Sequence, residues 1–382
     1  METIKDYKNN SRKQKFPISN GVKIILSGGS TGGSVTPLLS VATELNKKIR
    51  EKIDFLFIGT RKGLPERFLV KTAGLKYQGI YSGKLRRYFS WQNFLDPFKI
   101  LIGFFQSFFI LLKYRPDVIF AAGGFVSVPL IWAGFFLGIP SIIHQQDIEP
   151  SLSNKLTSCF AKKITVSFEK SLNDFPKTKT ILTGSPVRKE ILLGGLLGRK
   201  EKAIKRFNLE FNLPTILVIG GGTGSEKINQ LIFSIIPQLV EFCQVIHLTG
   251  GKTKGQQITH RRYHQYEFLT EEMADAYAIA DLVISRAGMG VLTELAALAK
   301  PAIIIPMPES HQEANALYFA KNKAIILLNQ TELTPEIFFP KIKKVLNSQE
   351  LLFNLSQNIS SLAQKKAGEK IAEIISSCAK KM

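Results

Sequence analysis

Cysteine is scarce in this chain of 382 residues: three occur, Cys159, Cys243 and Cys378. None stands in a C-x-x-C pair or beside a histidine, which excludes a disulfide framework and a cysteine zinc site and fits a reducing, cytoplasmic setting. Acidic residues are also few, 30 Asp and Glu against 51 Lys and Arg, so the formal net charge is +21. That imbalance favours a polyanionic partner, either nucleic acid or acidic lipid. No helix-turn-helix, zinc-finger or aromatic-bearing RNA-recognition pattern accompanies it, and nucleic acid is therefore not expected. No two aspartates stand in D-x-D spacing, so the usual carboxylate pair for a metal–diphosphate complex is missing, and neither an essential metal nor another cofactor is expected. Residues 1–20 lack the apolar core of a signal peptide and read as a flexible leader.

Long hydrophobic runs are missing too. The densest apolar stretch, Phe94 to Tyr114 (FLDPFKILIGFFQSFFILLKY), has its core between Ile100 and Leu112, shorter than the roughly 20 residues a spanning helix needs. It carries Gln106 and Ser107, and Lys84, Arg86, Arg87, Tyr88, Phe89 and Trp91 precede it. It is expected to lie in a core or on a membrane, not to cross. As a core helix it would pack on a parallel sheet. As an interfacial patch it would dip Trp91, Phe104, Phe105, Phe108 and Phe109 into lipid while nearby cations meet acidic headgroups. Both can hold at once.

What the chain has in quantity is short runs rich in Ile, Val and Phe, alternating with amphipathic stretches: KIILS, DFLFIG, DVIFAA, PSIIHQ and KITVS, then TILVIGG, CQVIHLTG, DLVISRAG, PAIIIPM and AIILL. This βαβ rhythm predicts parallel sheets covered on both faces. The runs fall into two sets around a charged, glycine-bearing stretch from Lys189 to Leu213, which predicts domains at 21–188 and 189–353. The halves resemble each other. KIILSGGSTGGSVTPLLSVATEL matches TILVIGGGTGSEKINQLIFSII, and DVIFAAGGFVSVPLIWAGFFLGIPSIIHQQD matches DLVISRAGMGVLTELAALAKPAIIIPMPES. An α/β fold of two doubly wound, Rossmann-like domains follows, with a ligand cleft between the carboxyl ends of their strands.

Glycine-rich turns stand at corresponding places in both halves: around Gly32, around Gly123 and Gly124, around Gly221 and Gly224, and around Gly288 and Gly290. Glycine lets a ligand approach the free N–H groups at a helix start, where the macrodipole favours negative charge. In the first loop Thr36 reads as an N-cap and Pro37 as first-turn proline, before an apolar face of Leu38, Val41, Ala42, Leu45 and Ile49. The pattern is neither the dinucleotide fingerprint nor a Walker A loop. With no D-x-D, leaving-group charge would fall to helix N-termini and to Arg188 or Arg286.

From about residue 22 to 330 the motifs resemble the MurG family, lipid-linked N-acetylglucosaminyltransferases of the GT-B fold. The carriers are GGSTGGSVTP at 28–37, GGFVSVP at 123–129, LGIPSIIHQQD at 137–147, GSPVR at 184–188, GGGTGSEKINQ at 220–230, SRAGMGVLTELAALAKP at 285–301 and HQEANA at 311–316. The resemblance implies inverting transfer of N-acetylglucosamine from UDP-GlcNAc to the C4 hydroxyl of a polyprenyl-diphosphate-linked muramyl-peptide, giving lipid II. It implies a peripheral enzyme on an anionic membrane surface, at the cytoplasmic face of the bacterial plasma membrane, among other cell-wall synthesis proteins. The second domain would hold the donor. Glu294 would take the ribose hydroxyls, Arg188 would lie near the nucleotide, and Gly288, Met289, Gly290 and Val291 would surround the phosphates. Gln312 and Asn315 would read the sugar, with Gly222, Thr223 and Arg286 nearby. The acceptor diphosphate would rest on Thr31, Gly32, Gly33, Gly123 and Gly124, and a C-terminal helix at 354–382 would pack back on the first domain.

Four departures from the family pattern bear on chemistry. Ser34 replaces the loop histidine, His144-Gln145-Gln146-Asp147 replaces H-E-Q-N, Gly222 replaces a serine beside Thr223, and Phe125 replaces a tyrosine. The candidate catalytic groups are accordingly Asp147, the one new carboxylate in a site motif, and Ser34, which is no base near neutral pH without help. A UDP-GlcNAc 2-epimerase, a transferase with another lipid acceptor, and an inactive lipid- or nucleotide-binding homologue remain the alternatives.

Overall fold

The computed structural model describes residues 21–29, 32–49, 51–61, 63, 66–83, 92–192, 199–221, 224–253 and 255–379. Thr31, Trp91, Gly222, Thr223 and the basic stretch before Trp91 lie outside the described residues, as does the leader expected at 1–20. Two sheets are formed. β1 (Lys23–Ser27), β2 (Asp54–Thr60), β3 (Lys76–Ile80), β4 (Val118–Ala121), β5 (Ser141–Gln145), β6 (Lys163–Val166) and β7 (Thr180–Leu182) make the first, in the order β3-β2-β1-β4-β5-β6-β7. β8 (Thr215–Ile219), β9 (Gln244–Leu248), β10 (Tyr263–Tyr266), β11 (Leu282–Ser285), β12 (Ala302–Ile304) and β13 (Ile326–Leu327) make the second, in the order β10-β9-β8-β11-β12-β13. Neighbouring strands run parallel throughout, as in the pairs β1 with β2 and β4, and β8 with β9 and β11. Each sheet reverses strand order beside its first strand, the switch point at which doubly wound sheets open a crevice.

The duplication seen in the sequence extends to single atoms. Asp117, ahead of β4, accepts a hydrogen bond from Lys23 N at 2.9 Å and so fixes the start of β1; Asp281, ahead of β11, accepts from Thr215 N at 2.8 Å at the start of β8. At the other end the halves differ: Ser27 of β1 donates to Ile58 O of β2 at 3.0 Å, and Ser285 of β11 to Ile219 O of β8 at 2.9 Å. These bonds satisfy strand-end polar groups that would otherwise be buried without partners.

Helices cover both faces: α1 (Thr36–Lys48), α2 (Glu66–Thr72), α3 (Gln92–Tyr114), α4 (Ser127–Phe136) and α5 (Leu152–Ser158) in the first half. The second half has α6 (Lys189–Leu192), α7 (Arg199–Phe207), α8 (Glu226–Leu239), α9 (Met273–Ile279), α10 (Met289–Ala297), α11 (His311–Lys321), α12 (Pro335–Leu346), α13 (Gln349–Ser361) and α14 (Ala367–Cys378). Strand alternation sorts the first core into two layers. Ile24 and Leu26 pack with Leu38 and Val41 of α1 and Ile371 and Ile375 of α14, whereas Ile25 packs with Leu111 of α3 and Leu130 of α4. Thr36 is the first helical residue of α1 and not its cap. A single 3-10 turn, Gly32–Ser34, runs straight into the helix, and Val35 at the cap position already has helical dihedrals.

α3 (Gln92–Tyr114) takes in the whole apolar stretch and runs beyond its Ile100–Leu112 core at both ends. From Asp96 to Tyr114 it has 19 residues, long and apolar enough to cross a bilayer by length and composition alone. Its inner face is tied to the sheet: the Tyr114 hydroxyl donates to Asp54 O at 2.6 Å, and Gln106 Oε1 accepts from Tyr81 N at 2.8 Å. The helical repeat brings Phe98, Leu101, Ile102, Phe105, Phe109 and Leu112 to the outside, where Phe135 and Phe136 of α4 extend the apolar surface. Phe104 and Phe108, expected in a lipid-facing patch, are half-buried and pack inward against the core. They fall on the turn of the helix that the sheet already occupies.

The chain crosses between domains twice. Residues 183–188 leave β7, and Ile191 of α6 already lies in the second core. The return, expected as one helix over 354–382, is two helices: Leu355 and Ile359 of α13 stay in the second domain, and only α14 reaches the first, where Lys48 pairs with Glu373 at 2.7 Å. Lys366 breaks the helix with φ 59°. The crossings touch: Gly184, at φ 84°, has Gln364 and Ala367 packed where a side chain would stand.

Two buried histidines give the fold a pH dependence. His247 on β9 bonds Tyr263 Oη at 2.8 Å and Asn229 Oδ1 at 3.0 Å, and burial pushes it down to about 3. His144 on β5 bonds Thr165 Oγ1 at 2.9 Å and burial pushes it down to about 4. Both stay neutral in the folded protein and protonate near 6.5 once unfolded, so their contribution is complete above about pH 6.5 and lost as pH falls towards their folded values. Each loses about 1.4 kcal/mol per pH unit in that window. The melting temperature should decline from pH 6.5 to pH 4, and His247→Gln should flatten the decline; an unchanged slope would contradict the assignment.

Candidate active site

The carboxyl ends of the two sheets face each other across one continuous cleft of about 2930 Å³. Every βα turn of a parallel sheet falls at that edge, so the glycine loops of both halves meet there. On the first domain's side Gly29, Gly33, Gly123 and Gly124 line it. Gly124, at φ 84°, lies so close to the first loop that a Cβ there would stand 3.0 Å from Gly29 N. The two loops are thus packed backbone on backbone. Gly32 sits in the short turn between Gly29 and α1, and Ser34 Oγ donates to Gly29 O at 3.3 Å. That bond makes Ser34 a brace of the loop as well as a cleft residue.

On the second domain's side α10 opens at Gly288, which caps it without any side-chain hydrogen bond. Among the described residues nothing stands within 4 Å of where a Cβ would be on Gly288 or Gly290, and neither has a positive φ. The backbone does not require glycine at these two positions. Their missing side chains leave open space in front of uncapped helix N–H groups, a cradle of the size and polarity for an anion.

Beside it, Glu294 of α10 meets Arg188 from the crossing segment, Nη2 to Oε1 at 3.2 Å, and Tyr277 Oη donates to Oε2 at 2.8 Å. Burial pushes the Glu294 carboxyl up, opposed by Arg188 and by the Tyr277 hydrogen bond. Arg188 Nε is buried without a hydrogen-bond partner among the described residues, which leaves one donor of its fork unspent. Arg286, the other arginine expected to meet charge, is already committed. Its Nη1 donates to Ile305 O at 3.1 Å and Pro306 O at 3.0 Å, and its Nη2 to Gln330. It lines the cleft but serves to hold the end of β12.

Gln312 lines the cleft; Asn315 does not. Three residues further along α11, Asn315 is fully buried. Both amide hydrogens are used, towards Asp147 Oδ1 at 2.9 Å and Ala287 O at 3.2 Å, and its oxygen accepts from Ile148 N at 3.0 Å. It bridges the domains in this state instead of facing a ligand. Removing it would leave the Ile148 N–H buried without an acceptor, a cost of about 1–3 kcal/mol. Asp147 is half-buried at the cleft wall. Of its motif neighbours, Gln145 is spent on the loop, donating to Asp147 O and Glu149 O and accepting from Ser151 N and Asn154. Among the described residues His144 Nε2 is buried without a partner, on an imidazole held neutral near pH 7.

Several cleft residues carried no signal in the reading of the sequence. Tyr277 looked like an ordinary position of α9. Phe268, more than half exposed, and Leu269 reach the cleft from the β10–α9 loop. Lys252, whose Nζ approaches Gly224 O at 3.5 Å, stands in a further glycine turn after β9 that glycine counting could have flagged. Among the described residues no group of three His, Cys, Asp or Glu side chains is placed to hold a metal ion.

With this geometry in place, similarity to known proteins is specific. Residues 24–166 match the glycosyltransferase family 28 N-terminal domain and residues 215–373 the family's C-terminal domain. A Clostridium kluyveri UDP-N-acetylglucosamine--N-acetylmuramyl-(pentapeptide) pyrophosphoryl-undecaprenol N-acetylglucosamine transferase is 38% identical over 92% of this chain and 98% of its own. A Clostridium tetani transferase of the same description is 37% identical over 88% of this chain and 94% of its own. Among solved structures, Acinetobacter baumannii MurG aligns with TM-score 0.69 at 24% identity, covering 93% of this chain and 99% of that one. A Neisseria meningitidis UDP-GlcNAc 2-epimerase bound to UDP-GlcNAc aligns with TM-score 0.68 at 14% identity, covering 93% and 100%, which is a likeness of fold. Two GT-B domains, a cleft floored by their paired glycine loops and relatives matched over nearly their whole length make this chain a family 28 glycosyltransferase and a member of the MurG family.

Proposed function

We propose that this enzyme transfers N-acetylglucosamine from UDP-GlcNAc to the C4 hydroxyl of a muramyl-pentapeptide carried on a polyprenyl diphosphate, the lipid II-forming step of peptidoglycan synthesis. The carrying observation is the open cradle at Gly288 and Gly290, set across the cleft from a second pair of packed glycine loops. One suits the diphosphate of the donor, the other that of the acceptor.

The acceptor hydroxyl attacks the anomeric carbon from the face opposite UDP, so configuration inverts. The bond to the diphosphate oxygen breaks, UDP leaves with the electron pair, and the hydroxyl proton passes to a carboxylate. Asp147 is that carboxylate in our reading, since it lies at the cleft wall on the acceptor side. Charge on the departing UDP falls to the N–H groups of α10 and to Arg188, with the ribose hydroxyls taken by Glu294 once it exchanges Arg188 for the diol. Gln312 reads the sugar. Asn315 joins it only when donor binding draws its amide away from Asp147, which would also release the carboxylate for proton transfer. No metal takes part in this scheme. The exposed face of α3 and α4 rests on the acidic cytoplasmic surface of the plasma membrane, where a net charge of +21 adds attraction.

Incubation with labelled UDP-GlcNAc and the lipid-linked muramyl-pentapeptide should move label into lipid, at the same rate with and without EDTA. Label recovered as an epimerised nucleotide sugar would replace this reading with the isomerase. Asp147→Asn keeps an acceptor for Asn315 and should lower kcat by about 10²–10⁴ with little change in UDP affinity; full turnover would remove Asp147 as the base. Phe105→Asp/Phe109→Asp, both outward on α3, should abolish sedimentation with acidic liposomes and leave the melting temperature near that of the parent, whereas undiminished sedimentation would remove this face from the membrane.

A further inference from the structure

The first sheet separates two unlike faces. On one, α3 and α4 present Phe98, Phe105, Phe109 and Phe136, each more than half exposed. On the other, α1, α2 and α14 cover the strands. The cleft does not end at the glycine loops between these faces. It continues onto the second face, where Leu39 and Thr43 of α1, Arg67 and Phe68 of α2, and Lys365 in the α13–α14 link line it.

Charge in this groove is unevenly spent. Glu44 pairs with Lys47, and Glu369 with Lys366 at 3.8 Å. Among the described residues neither Arg67 nor Lys365 has an ion-pair partner. The Arg67 guanidinium lies over the Tyr77 ring, 5.2 Å from its centroid, and among the described residues its buried Nε has no hydrogen-bond partner. Tyr77 is itself fixed, donating to Thr60 O at 2.6 Å. A guanidinium held over a ring has its fork orientation fixed, which suits a planar carboxylate.

We infer that this groove receives the peptide arm of the acceptor, its carboxylates meeting Arg67 and Lys365. The inference rests on the transfer reaction proposed above and says where the acceptor's two arms go. The hydrocarbon arm leaves along α3 and α4, because the exposed aromatic surface is there. A polar, carboxylate-bearing peptide gains nothing on that face. From a muramyl unit seated at the glycine loops, the cleft also continues onto the opposite face, past Arg67 and Lys365, which have no ion-pair partner among the described residues.

Transfer is measured with two lipid-linked acceptors, one carrying the five-residue peptide and one with the lactyl carboxyl capped as its amide. The variants are Arg67→Gln, Lys365→Glu and their combination; Lys341→Glu/Lys344→Glu, exposed on α12, is the charge control. The combined variant should raise KM for the peptide acceptor roughly tenfold, and leave KM for the capped acceptor and for UDP-GlcNAc at the parent's values. Lys365→Glu alone, on an exposed link, should give part of the effect if the Arg67 change disturbs packing. An unchanged KM for the peptide acceptor, or an equal rise with both acceptors or in the charge control, overturns the inference. A parent enzyme that glycosylates neither acceptor overturns the reading beneath it, and this assignment with it.

Discussion

The contact between Gly184 and Gln364 governs how the two halves of the molecule meet. The chain passes between domains twice, and at this point the outgoing and returning segments are pressed together with no room for a side chain on the glycine. Each sheet on its own would place its βα turns at one edge, as parallel strands with covering helices require. The paired crossing, together with Phe168 packed on Tyr318 and Phe319, turns those edges towards each other. The cleft, the meeting of Arg188 with Glu294 and the bridge from Asn315 to Asp147 all follow from that orientation. Arg188 is itself part of the outgoing segment, so that segment supplies part of the cleft wall.

The fold was legible because burial on both faces leaves its mark in composition. KIILS and TILVI read as strands from their Ile and Val content, and they are β1 and β8. The repeated order Asp, strand, glycine turn, helix showed the duplication before any coordinates did, and the bonds of Asp117 and Asp281 give that aspartate its physical reason. Less legible was what each polar side chain does once placed. Arg286 and Arg188 look alike in sequence, but one is spent on carbonyls at the end of β12 and the other keeps a donor unspent. Gln312 and Asn315 share a helix, and the turn between them puts one in the cleft and the other in the domain contact. Phe104 and Phe105 differ by about 100° around α3, which decides whether the ring meets the core or the outside. Such differences depend on rotation about a helix and on partners distant in the chain, and neither leaves a trace in residue type.

The departures in the site motifs also take on shape. With Asp147 in place of an amide, the interdomain bridge becomes a charge-assisted hydrogen bond, stronger than its neutral counterpart. Ser34 has become a support for its own loop. The interdomain contact is therefore concentrated on one carboxylate, which the amide of Asn315 holds occupied.

The last helix has a bearing on how the protein is made. Ile371, Ala372 and Ile375 of α14 are fully buried in a layer of the first domain together with Ile24, Leu26 and Val41. The first domain thus lacks part of its hydrophobic layer until the second domain and α14 after it have been synthesised. During that interval the strip along α1 that α14 will cover lies bare, and the second domain can fold around its own core beforehand. The first domain is in this way completed after the second, when α14 docks on α1.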